Sequence, residues 1–157
     1  MKSELLTSFS DAASQTFKLL LDLDVTTDTV PSLENNDKKE YIENIDIVIE
    51  ITGDLNGEVM YSFPKDTTLE MVKMMSGMEF KEIDEFVKSA LGEIANIISG
   101  NALSGLSQAQ LICDIRPPKI IEGQTSTVDE GCSIYQAKVK TSIGDVGLNL
   151  RTIQAAG

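Results

Sequence analysis

Apolar residues near the start of the chain recur at three- and four-residue spacing: Leu5, Leu6, Phe9, Ala12, Ala13, Phe17 and Leu20. That period predicts an amphipathic helix. The stretch 26–39 is polar and holds Pro31 and Asn35-Asn36-Asp37, so it reads as a loop, with room for a short strand before it. From Ile45 the period changes to two. Ile45, Ile47, Ile49 and Ile51 fall on one face, with Asp46 and Glu50 on the other, as in a half-buried strand. Asn56-Gly57 then predicts a tight turn, Glu58 to Phe63 a returning strand, and Pro64 its end. Thr67 and Glu70 have capping-box spacing, which places a helix start at Thr67, and Gly77 is its natural stop.

A long helix is predicted from about Glu82 to about Ser99. With Ile83 set at zero, Phe86, Val87, Ala90, Ile94, Ile97 and Ile98 fall in a single arc with it, the expected buried stripe. From Leu106 onward the pattern is of strands: Leu111 to Ile115, an extended corner at Pro117-Pro118, then Ser133 to Lys140 and Val146 to Ile153 with a turn between them. The expected fold is α+β, one domain over residues 1–157, with a central, mainly antiparallel sheet packed with two long helices and a shorter one.

Composition narrows the chemistry. The chain has 157 residues, 13 Lys+Arg against 25 Asp+Glu, and a formal charge of −12. Such a surface repels phosphate backbones and anionic lipid, so neither nucleic acid nor membrane is an expected partner. There is no histidine, which removes His-dependent triads, phosphohistidine relays and His-ligated metal sites. Two cysteines, Cys113 and Cys132, cannot build a four-cysteine zinc site, and read as buried strand thiols of a reducing compartment. No apolar run reaches membrane-spanning length and no signal peptide is visible, so the expected location is the cytoplasm.

On the long helix, Glu93 and Asn96 are three residues apart and outside the apolar arc, Glu93 at its edge and Asn96 on the polar side. Glu82 and Ser89 share that side. A carboxylate can pair with an incoming lysine or arginine. A carboxamide can orient a water without needing a shifted pKa. The spacing alone does not separate a site from a solvated helix face: 13 Glu and 7 Asn would give about 0.6 such pairs by chance, and there is one. Other features stay ambiguous. Met71, Met74, Met75 and Met78 are expected in core or subunit packing. Asn101 is expected to be a buried amide. Gly92 and Gly100 are points of close partner approach, and Gly100 is equally a helix end or tight packing point. The acidic residues Glu79, Glu82, Asp84 and Glu85 suit a helix N-terminus or steer a basic partner.

The ordered context resembles one family. The run Leu91-Gly92-Glu93-Ile94-Ala95-Asn96-Ile97-Ile98-Ser99-Gly100-Asn101 is similar to the signature helix of the CheC/CheX/FliY phosphatases of bacterial chemotaxis. Ile51-Thr52-Gly53-Asp54-Leu55-Asn56-Gly57, Tyr61-Ser62-Phe63-Pro64, Met74-Met75-Ser76-Gly77-Met78-Glu79-Phe80 and Pro117-Pro118-Lys119-Ile120-Ile121-Glu122-Gly123 resemble other family segments in the same order. The first helix offers only Glu4-Leu5-Leu6-Thr7, so there is one Glu-x-x-Asn site, as in the homodimeric CheX branch.

The resemblance implies a CheC-like fold and hydrolysis of the aspartyl phosphate of a CheY-type response regulator. Asn96 would orient the attacking water and Glu93 would pair with the regulator's active-site lysine. No cofactor is implied for this chain, Mg²⁺ coming with the partner regulator. A non-catalytic regulator-binding or flagellar-switch-like scaffold of the same fold is the alternative.

Overall fold

The computed structural model describes residues 2–30, 44–108, 110–122 and 132–153. In chain order these form α1 (Lys2–Leu21), β1 (Thr26–Val30), β2 (Asn44–Gly53), β3 (Asn56–Pro64), α2 (Lys65–Ser76), α3 (Glu85–Gln108), β4 (Cys113–Ile115), β5 (Lys119–Glu122), β6 (Cys132–Thr141) and β7 (Gly144–Ile153). The strands make one antiparallel sheet of order β1-β6-β7-β3-β2-β4, with β5 also on β2. The two long helices, α1 and α3, pack against one another and against this sheet, and α2 wedges beside them near β3 and β7. The α+β arrangement expected from the sequence is the one observed.

The core lies between helices and sheet. Ile45, Ile47, Ile49 and Ile51 of β2 are buried, as alternation requires, and meet Phe9, Ala13 and Phe17 of α1 and Leu91, Ile94 and Ile98 of α3 in one cluster. The methionines divide: Met71 is buried, while Met74, Met75 and Met78 are exposed, so only the first is a core residue.

Several local expectations are corrected. The β2–β3 turn falls at Asp54-Leu55, before Asn56-Gly57. Gly57 lies within β3, opposite Ile51 and Thr152, because a side chain there would run into the Arg151 carbonyl. The turn uses Gly53 at φ 118°, in the region that glycine occupies without strain. Helix α2 begins at Lys65, with Pro64 as an extended N-cap that makes no side-chain cap bond. Thr67 is therefore inside the helix and buried, and its hydroxyl donates to the Ile143 carbonyl at 3.3 Å. Gly77 does stop α2, left-handed at φ 74°. The polar stretch after Thr26 opens with a strand, β1, held along the edge by β6; Pro31 and Asn35-Asn36-Asp37 lie outside the described residues. Cys113 is a free thiol, half-buried. No described helix is long and apolar enough to cross a membrane.

Candidate functional site

Helix α3 carries both candidate residues, and its ends and rotation are fixed by identifiable contacts. Asp84 caps it: the Val87 N–H donates to Asp84 Oδ1 at 2.9 Å. The acidic cluster thus supplies an N-cap. The helix does not stop near Ser99. It continues to Gln108 because Ala102 and Leu106 extend the buried face and packing against α1 outweighs the low helix propensity of Gly100 and Gly105. Beyond it, the Leu111 N–H returns to the Leu106 carbonyl at 2.9 Å. The Asp54 N–H donates to the Ile112 carbonyl at 3.0 Å and the Ile112 N–H donates to Asp54 Oδ2 at 2.8 Å, tying the chain after α3 to the hairpin turn. Asn101 is exposed, not a buried amide, and its Nδ2 reaches Thr16 Oγ1 of α1 at 3.4 Å.

The buried face of α3 is rotated from the expected stripe. Val87, Leu91, Ile94, Ala95, Ile98, Ala102 and Leu106 are buried, which centres the core-facing side about 90° from Ile83. Phe86, expected in the stripe, is 56% exposed and stacks on Phe80 at 5.3 Å between ring centroids. Leu91 and Ala95 were the available signal for this phase. The rotation moves Glu93 from the edge of the apolar arc to nearly opposite its centre.

Glu93 is exposed and Asn96 half-buried. One helical turn separates them, which sets their Cβ atoms about 5–6 Å apart. Among the described residues, neither side chain has a hydrogen-bond or ion-pair partner. Ser89, Phe86 and Gly100 share their side of the helix. Ser99, on the core side, is held by Tyr61. The site is thus a carboxylate and a carboxamide, displayed together and unengaged, on a helix whose opposite face is fully packed. Such a pair can accept a cation with one arm and bind a water with the other. Among the described residues no group of three or more His, Cys, Asp or Glu side chains could hold a metal ion.

An antiparallel sheet backed by two long helices is the CheC-like fold. A family model described as "Chemotaxis phosphatase CheX" matches residues 45–139, and the chain belongs to that family. Among curated proteins, the CheY-P phosphatase CheX of Thermotoga maritima is 40% identical over 78 residues, 49% of this chain and 50% of the relative, so the match spans half of that protein's length. Among solved structures, the chemotaxis protein CheX from Vibrio vulnificus superposes with TM-score 0.78 at 22% identity, covering 94% of this chain and 97% of the other. The CheX–CheY–BeF3–Mg²⁺ complex from Borrelia burgdorferi gives 0.75 at 19% identity, covering 95% and 97%.

Proposed function

We propose that this chain, as one domain over residues 1–157, hydrolyses the aspartyl phosphate of a CheY-type response regulator in the cytoplasm, working as a homodimer. The observation that carries this reading is the Glu93–Asn96 pair, without a partner among the described residues, on the outward side of α3 in a member of the CheX family. The Thermotoga relative is named for this activity and the Borrelia relative was solved with CheY.

In this scheme Glu93 pairs with the regulator's active-site lysine and sets the helix across its phosphorylation site. The Asn96 side-chain carbonyl accepts a hydrogen bond from a water and turns the water's lone pair toward phosphorus. The new bond joins water oxygen to phosphorus, and the P–O bond to the aspartyl carboxylate breaks. The products are inorganic phosphate and a free aspartate. Positioning does most of the work, as elsewhere in phosphoryl transfer. Mg²⁺ belongs to the regulator, where it offsets charge on the phosphoryl oxygens.

The test is the decay of phosphate from a Mg²⁺-bound, phosphorylated CheY-type receiver with wild type, Asn96→Ala and Glu93→Ala. Wild type should accelerate decay. Asn96→Ala should bind yet lose about a hundredfold or more in turnover, and Glu93→Ala should weaken both. Unchanged decay with wild type, across the CheY-type regulators of the same genome, would leave the scaffold alternative in its place.

A further inference from the structure

Helix α3 contains three glycines. A Cβ on Gly92 would stand 3.4 Å from Pro118 Cγ, and one on Gly105 would stand 3.7 Å from Ser8 Oγ, ordinary contacts in both cases. Gly100 is the most open of the three. Its backbone is helical rather than left-handed, and a Cβ there would meet nothing within 4 Å among the described residues. A glycine inside a helix weakens it relative to alanine. The described neighbours give no steric reason for a glycine at this position.

Its position supplies the missing reason. Gly100 lies one turn beyond Asn96 and two turns beyond Glu93, and the three fall within an arc of about 60°. Asparagine has a short side chain, so its amide can touch a phosphate-bound water only if the receiver comes into contact with the helix surface. A side chain at the next turn would hold the receiver off. We infer that Gly100 is a docking notch, a bare stretch of α3 against which the phosphorylated receiver's backbone seats so that Asn96 reaches the attacking water. The inference rests on the receiver-phosphatase reading above. It makes Gly100 a positioning residue.

The experiment compares wild type, Gly100→Ala and Gly100→Leu by steady-state turnover of a Mg²⁺-bound CheY-type receiver phosphorylated with a small-molecule phosphodonor. Binding of the beryllofluoride-loaded receiver and thermal melting are measured in parallel. Both substitutions favour the helix, so Tm should rise, by about 2–4 °C for Gly100→Ala. Docking should move the other way, with KM rising about tenfold for Gly100→Ala and further for Gly100→Leu as complementarity is lost. This opposition of stability and affinity is the signature of a notch. A raised Tm with unchanged KM and receiver affinity in both variants would overturn the inference and leave the phosphatase reading standing. A lowered Tm in both would also overturn it, by showing that the glycine serves the fold. If wild type itself does not accelerate decay, the receiver reading falls and the notch with it.

Discussion

The hydroxyls of Tyr61 and Ser99 meet 2.8 Å apart in the buried seam between β3 and α3. Ser99 is three residues past Asn96, so this contact fixes the rotation of the helix turn that displays the site. Burial holds the Tyr61 hydroxyl far above its usual titration range, with the Ser99 hydrogen bond acting weakly the other way. The two ends of the bond are not equivalent on removal. Tyr61→Phe leaves Ser99 able to turn its hydroxyl to the carbonyl one turn back, and should cost about 1 kcal/mol. Ser99→Ala strands a buried phenol and should cost more, about 2–3 kcal/mol. Thermal melts of the two variants check the order; equal losses would mean that the contact does not hold the seam.

Asp46 supplies a pH dependence. It is buried on the sheet, and its Oδ1 has no hydrogen-bond partner. Burial raises its pKa above the ordinary carboxylate value, partly countered by a hydrogen bond from Ser62. Where the unfolded chain has lost this proton the folded chain still holds it, so the native state binds more protons and stability falls as pH rises through that acidic window. Asp46→Asn should therefore be more stable than wild type at neutral pH, by about 1 kcal/mol. The advantage should shrink as pH drops toward the ordinary carboxylate value. Melting both proteins from pH 4 to 8 tests this, and parallel curves would exclude Asp46 as the source.

Gly57 should not tolerate a side chain. It packs where a Cβ would collide with the Arg151 carbonyl of the neighbouring strand. Gly57→Ala must separate β3 from β7 locally, and a loss of about 3 kcal/mol or more is expected. Chemical denaturation reports it directly.

Chelation separates the two partners' contributions to the proposed reaction. Mg²⁺ added to this chain alone should leave its Tm unchanged. EDTA should stop turnover of the phosphorylated receiver, and excess Mg²⁺ should restore it. A Tm shift in the isolated chain would point to a metal site of its own.

Much of the fold was legible because burial imprints simple periods. Ile45, Ile47, Ile49 and Ile51 announce β2 since one face of the sheet is dry. Where tertiary contacts decide, the pattern misled. Asn56-Gly57 looked like a turn, but Gly57 is glycine for the sake of Arg151 on another strand. Thr67 looked like a cap, but its hydroxyl serves Ile143, 76 residues away. The polar strand β1 carries no apolar signal because it is paired along an edge. Periodicity places Phe86 in the buried stripe of α3, because an exposed aromatic is indistinguishable from a buried one in a period alone; Leu91 and Ala95 mark the true phase. Glu93 and Asn96 were visible as a pair, but only the surrounding run of residues lifted them above coincidence.

Helix α3 spans 24 residues, is capped by Asp84, and is pinned at Ser99 and tethered beyond Leu106. On the proposed reading, the helix that touches the regulator arrives already set. Its working side chains are a carboxylate and an amide, and the amide does not ionise at all. The duration of the regulator's signal would then be governed by dosage: how many copies of this chain the cell makes, and how often one meets a phosphorylated regulator.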